Sequence, residues 1–300
     1  IKKHFRKYHI AVGNLLLLEY GNGQKEAFLT ARTTNGRCIT SKEAAELMGQ
    51  VVDDSRWSPA KDSRSIITKQ YATIRLLEDG GYRMLYGASR IPRQGEKYSG
   101  DNYTFCESQG SQVVMSLSDG MGSGKAAGEE SRTVIELLEQ FAESGLKMDT
   151  ALKMINSVLV IGADEESFAT LDMCYIDMYS GMAEFIKTGA AATFVIRDGK
   201  AKAIRSSSLP IGMLKYFDMD KSEYKLKKND IILMLTDGAA EVIDRDGMSD
   251  MILTELMENN KMKDPKDIAD YVLESLKERS GFRIQDDMTV VAARVWTDCR

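Results

Sequence analysis

Histidine is almost missing from this sequence: His4 and His9 are its only imidazoles among 300 residues. Beyond residue 9 no side chain of that type remains to act as general base, phosphate carrier or metal ligand. Ser-His-Asp triads, H-E-x-x-H zinc sites and histidine phosphotransfer are thereby excluded from the main body. Cysteine is nearly as scarce. Cys38, Cys106, Cys174 and Cys299 lie far apart and form no C-x-x-C pair, so neither a disulfide framework nor a zinc ribbon is expected, and the compartment reads as reducing. No apolar run approaches the roughly 18 residues of a membrane span; Leu15 to Leu18 is the longest aliphatic block. Positive charge is not in excess either. The net charge is -5 and the 40 Lys and Arg residues are dispersed, which removes the footprint of a general nucleic-acid binder. The densest basic cluster, Lys2, Lys3, Arg6 and Lys7, reads as a solvated helix face or a linker stub. The chain opens at Ile1 rather than Met, as a piece of a longer protein would. The cytoplasm is the expected setting for this piece, with membrane anchorage left open for a parent chain.

Hydrophobic residues make up 43% of the sequence, enough to bury a substantial core. Residues 1–80 read as a small β-β-α accessory or regulatory segment. Leu15 to Tyr20 and Glu26 to Thr30 are expected strands around Asn22-Gly23. Thr40-Ser41-Lys42-Glu43 reads as a capping box opening a helix, and Trp57 to Ser65 as a polar loop. From Tyr71 onward strands dominate, with Asp79-Gly80-Gly81 and Asp198-Gly199 as hairpin signals. Helices are expected over Ala126 to Phe141, from Asp149 to Leu159, and along Ile268, Val272 and Leu276. Repeated hairpins imply antiparallel pairing, so a doubly wound parallel sheet is excluded. The predicted fold is α+β: an α-β-β-α sandwich of two antiparallel sheets flanked by helices, occupying residues 81–297.

With imidazole absent, carboxylates become the candidate chemistry, and a carboxylate-rich site selects hard cations such as Mg²⁺ or Mn²⁺. Asp119-Gly120 and Asp237-Gly238 each end a hydrophobic strand. Asp286-Asp287 immediately precedes one, and Gly100-Asp101-Asn102 follows a predicted loop. Carboxylates at strand ends are held by a rigid scaffold while facing solvent. A single Asp-Gly pair is more often a plain turn, and Asp79-Gly80 and Asp198-Gly199 read that way. Gly120 to Lys125 also suggests a nucleotide loop, but Lys125 is followed by Ala126 and the glycine spacing fails the P-loop template.

Ser118-Asp119-Gly120-Met121-Gly122-Ser123-Gly124, Thr236-Asp237-Gly238 and Asp286-Asp287-Met288-Thr289-Val290-Val291 resemble the metal motifs of PPM-type (type 2C) phosphatases, most closely those of the stage II sporulation protein E branch. The likeness extends in order to Ser99-Gly100-Asp101-Asn102-Tyr103, Met154-Ile155-Asn156-Ser157, Phe168-Ala169-Thr170-Leu171-Asp172 and Ser208-Leu209-Pro210-Ile211-Gly212. It implies a phosphoprotein (serine/threonine) phosphatase, a hydrolase with two Mn²⁺ or Mg²⁺ ions. Asp119 would bridge them, the carbonyl of Gly120 would complete one, Asp237 and Asp286 would ligate the other, and Asp101 would orient a metal-bridging water. Two such ions, roughly 3.5–4 Å apart, activate water and neutralise phosphate, a mechanism that requires no histidine. Asp287 is left open between a supporting role and exchange with Asp286. The family's phosphate-holding arginine has no counterpart at a matching spacing; Arg90 and Arg93 are only in the neighbourhood. The implied substrate is a phosphorylated anti-anti-sigma factor, whose dephosphorylation would activate a sporulation sigma factor. A homodimer is compatible with the resemblance. The competing class is a catalytically silent scaffold of the same fold, acting by partner binding or dimerisation. The helices after the Asp119 loop could set its geometry, so residues 1–80 are expected to influence the Mn²⁺ requirement.

Overall fold

A computed structural model describes residues 1–300 except 61, 109–110, 123, 163–167, 216–218, 245–250, 252, 256–261 and 298–300. Ser123 of the first metal motif and Cys299 therefore lie outside the described residues. The chain divides into two compact units, Ile1–Gly81 and Tyr82–Arg300.

In the first unit, α1 (Lys2–Lys7) precedes β1 (Ile10–Glu19) and β2 (Lys25–Thr33); β3 (Ile39–Thr40) leads into α2 (Ser41–Gly49). The capping box forms as its residues dictate: Glu43 N donates to Thr40 Oγ1 at 3.2 Å, and Thr40 N donates back to Glu43 Oε2 at 2.7 Å. The apolar face of α2 (Ala44, Ala45, Met48) then packs with Leu29, Ala31 and Leu76. After it come β4 (Trp57–Pro59), β5 (Ile66–Ile67) and β6 (Ala72–Glu78).

Two expectations are corrected here. The stretch opening at Trp57 is not wholly loop. Trp57 is buried, and β4 pairs with β6 because Pro59, which lacks a donor, is tolerated on the outer strand of the order β1-β2-β6-β4. Asp79-Gly80-Gly81 does not close a hairpin: β6 pairs with β2 and β4, whereas β7 (Tyr82–Ile91) pairs with the last strand.

The second unit adds β8 (Asp101–Ser108), β9 (Gln112–Asp119), α3 (Gly124–Glu143), α4 (Met148–Gly162), β10 (Leu171–Asp177), β11 (Met182–Thr188), β12 (Thr193–Arg197), β13 (Lys200–Ile204), β14 (Asp220–Lys225), β15 (Ile231–Leu235), α5 (Asp237–Asp244), α6 (Pro265–Arg279) and β16 (Met288–Thr297). These build two five-stranded antiparallel sheets, ordered β14-β11-β10-β9-β8 and β13-β12-β15-β16-β7. Three apolar layers join them. Met115, Cys174, Phe185, Val195, Met234 and Val291 fill the space between the sheets. Val134, Leu138, Leu152 and Ile155 of α3 and α4 cover one outer face, and Ile268, Val272 and Leu276 of α6 cover the other. Each fully buried side chain of this size contributes about 1.5–3 kcal/mol. The unit is the α+β, four-layer antiparallel sandwich that its hairpins and amphipathic helices predict.

Helix ends follow local chemistry. α3 closes in a Schellman pattern, with Leu146 N donating to Phe141 O at 3.1 Å and Gly145 N to Ala142 O at 3.1 Å. α6 opens on Asp264, which accepts from Lys266 N at 2.8 Å, with Pro265 at its first position. Among the described residues no helix is long and apolar enough to cross a membrane.

Candidate metal centre

Each sheet delivers acidic residues to one end of the sandwich. From the first sheet, Asp101 and Asp119 are direct cross-strand partners at the start of β8 and the end of β9. From the second, Asp237 follows β15 as the first residue of α5, and Asp286-Asp287 immediately precedes β16. β15 and β16 are adjacent, Leu235 opposite Val290, so these residues are neighbours too.

The carboxylates differ sharply in what they touch. Asp101 is fully buried; its Oδ2 accepts from Thr289 Oγ1 at 2.5 Å, across the two sheets, while Oδ1 has no donor. Asp119 is fixed through its backbone by Thr170: its N donates to Thr170 Oγ1 at 3.1 Å and its O accepts from Thr170 N at 2.8 Å. Burial, followed by the negative charges of Asp101 and Asp237, pushes the Asp119 carboxyl well above the usual carboxylate range. Burial likewise raises Asp101, against the opposing bond from Thr289. Asp286 is half-buried and raised by burial, with Asp237 and Asp287 adding repulsion and Arg93 relieving it. Asp237 thus acts electrostatically on both Asp119 and Asp286.

Asp287 stands apart. Its Oδ1 accepts from Arg93 N and its Oδ2 from Gly100 N, both at 2.6 Å, and it is buried. Both its oxygens are committed to backbone donors, tying the loop before β8 to the start of β16. Asp286 presents a less committed carboxylate, accepting only from Asp287 N at 2.9 Å among the bonds resolved.

Sequence reasoning assigned no role to the supporting hydroxyls of Thr289, Thr170 and Thr236, although all three stand within the quoted motif blocks. Strand alternation after Asp287 would have placed Thr289 on the same face, and it is there that it meets Asp101. The arginines set aside for their spacing do reach the site's edge. Arg90 Nη1 donates to Asp101 O at 3.2 Å, and Arg93 acts through its backbone and its charge. The Asn156 block also gains a role: Asn156 Oδ1 accepts from Gly212 N at 2.8 Å and its Nδ2 donates to Leu214 O at 3.0 Å. That clamp holds Ile211 against Ala169, itself bridged to Gly120.

Among the described residues no three carboxylate, thiolate or imidazole groups close around one point as a finished coordination shell. The donor set nevertheless fits a hard divalent cation. It offers only oxygen donors, it crowds like charges around Asp119, and it contains a buried carboxylate oxygen with no partner. Beside Asp237 lies a cavity of about 260 Å³, lined among others by Ala190, Ala192, Phe194, Arg205 and Glu241.

Gly120 occupies a position where no side chain fits: a Cβ there would lie 1.9 Å from Ala127 O, the backbone of α3. Gly120→Ala is therefore expected to displace the start of α3 and to cost about 2 kcal/mol or more of stability. Urea denaturation of the two chains measures the difference.

Residues 109–296 match the family model described as stage II sporulation protein E (SpoIIE). The stage II sporulation protein E of Priestia megaterium is 32% identical over 280 residues, 93% of this chain. That of Bacillus subtilis (strain 168) is 34% identical over 226 residues, 75% of this chain. The chain spans only 47% and 27% of those two relatives. Among solved structures, the PP2C phosphatase domain with a fragment of the regulatory domain of SpoIIE from Bacillus subtilis superposes with a TM-score of 0.73 at 27% identity, covering 99% of this chain and 87% of that one.

Proposed function

This chain belongs to the stage II sporulation protein E family, and on that premise we propose that it is a metal-dependent protein serine/threonine phosphatase acting on a phosphorylated regulatory protein. The observation that carries the reading is the meeting of Asp101 and Asp119 from one sheet with Asp237 and Asp286 from the other, in surroundings without imidazole. Asp119, Asp237 and Asp286, with the Gly120 carbonyl, would hold divalent cations, Mn²⁺ or Mg²⁺. When bound, such ions supply charge neutralisation for a phosphate ester and acidify water. Asp119, reached by the charges of both Asp101 and Asp237, would be the most central of these ligands. Asp101, which interacts with Asp119 and has one carboxylate oxygen unpartnered, could orient an attacking water and take up its proton. Asp287 holds the loop on which Asp101 stands rather than serving as a ligand. The cavity beside Asp237 accepts the segment bearing the phosphoserine.

The substrate is read as a phosphorylated anti-anti-sigma factor, whose dephosphorylation activates a sporulation sigma factor. The unit Ile1–Gly81 is read as an accessory, regulatory part. Incubating the chain with such a phosphoprotein should release phosphate with Mn²⁺ present, stop on chelation, and resume when Mn²⁺ is restored. A folded chain that releases none under those conditions is a scaffold and not an enzyme.

A further inference from the structure

The two halves of the candidate centre come from different sheets, and the apolar layer between those sheets is not directional. Directional contacts across it are polar: besides the Asp101–Thr289 bond at the site itself, a second buried polar cluster crosses the layer. Asp172 of β10 and Lys187 of β11 are cross-strand partners, with Lys187 Nζ 2.6 Å from Asp172 Oδ2 and both side chains at most 2% exposed. Thr193 of β12, in the opposite sheet, donates its hydroxyl to the same Asp172 oxygen and accepts from Lys187 Nζ at 2.8 Å.

Each member lies a short step from a proposed ligand. Asp172 is opposite Leu117 in β9, two residues before Asp119. Thr193 is opposite Met234 in β15, three residues before Asp237. Lys187 continues the connection through its carbonyl, which accepts from Ser208 Oγ at 2.7 Å, while Gly189 N donates to Ser208 O at 3.0 Å. The chain from Ser208 then reaches Ile211, which exchanges backbone hydrogen bonds of 2.9 and 3.1 Å with Ala169, the bridge partner of Gly120. Gly189 has φ of +62° and no room for a Cβ, which would lie 2.6 Å from the Pro210 ring, so this connection is tightly packed.

A buried ion pair is an expensive way to hold two strands together, since apolar residues of similar volume usually do as well or better. What it adds is direction. We propose that Asp172, Lys187 and Thr193 are positioning residues: a polar clamp across the sandwich that fixes the register of the Asp119 sheet against the Asp237 sheet and so sets the affinity of the centre for its cation. The inference rests on the phosphatase reading of the site.

The test is Mn²⁺ binding, followed by the electron paramagnetic resonance of free Mn²⁺, in the full chain and two variants. Asp172→Leu combined with Lys187→Met replaces the pair by apolar side chains. Thr193→Val keeps the pair and removes only the hydroxyl that crosses between sheets, so it remains informative if the double variant does not fold. Both are expected to retain cooperative melting, with the Mn²⁺ dissociation constant raised about tenfold, the lower end of what supporting residues contribute to metal sites. Folded variants that bind Mn²⁺ as tightly as the unmodified chain would overturn the clamp and leave the metal site standing. An unmodified chain that binds no Mn²⁺ would overturn both.

Discussion

Replacing Asp119 by Asn is expected to lower Mn²⁺-dependent phosphate release at least about 100-fold, because even supporting residues of metal sites cost 10–100-fold. The same substitution is expected to raise the melting temperature of the metal-free chain. The two effects have one cause. Asp119 is buried against Asp101 and Asp237, and these like charges are what a cation would neutralise. Without the cation, an aspartate there is a burden on the folded state. Asn keeps its shape and removes its charge. A gain of about 1 kcal/mol would appear as roughly 2–4 °C, read by calorimetry in the presence of a chelator. Lost activity with an unchanged or lower melting temperature would mean that the cluster is less repulsive than its burial implies.

The adjacent aspartates should separate in the opposite sense. Asp287→Ala leaves the buried Gly100 N and the Arg93 N without their acceptor, at about 1–3 kcal/mol for each unsatisfied donor. A total loss of about 2–6 kcal/mol is expected, visible in urea denaturation without any metal. Asp286→Asn, at a half-buried position, should change stability by less than about 1 kcal/mol while weakening Mn²⁺ binding. Comparable destabilisation by both substitutions would remove the distinction between ligand and support.

That distinction could not be read from two consecutive aspartates, since either could face the ions. It follows from a contact across 187 positions of sequence, between Asp287 and Gly100. The architecture was more accessible. Hairpin signals such as Asp198-Gly199 and the apolar stripe of α3 are local, and β12–β13 and Gly124–Glu143 form where they indicate. Asp79-Gly80-Gly81 carries the same local signal yet joins strands that pair elsewhere, because the choice of partner belongs to β2 and β16 rather than to the turn. Asp119 and Asp237 stood out because each ends a hydrophobic strand. Thr289 and Asp172 lay within the quoted blocks without a role, and Lys187 lay outside them, since a polar residue inside a strand acquires meaning only when the opposing sheet supplies its partner.

Anomalous diffraction from crystals of the chain grown with Mn²⁺ addresses the site most directly. The expected result is manganese density within coordinating distance of Asp119, Asp237 and Asp286 oxygens and the Gly120 carbonyl, with Asp287 still bonded to Gly100 and Arg93. Manganese bound elsewhere, or no density between these aspartates at saturating Mn²⁺, would contradict the assignment.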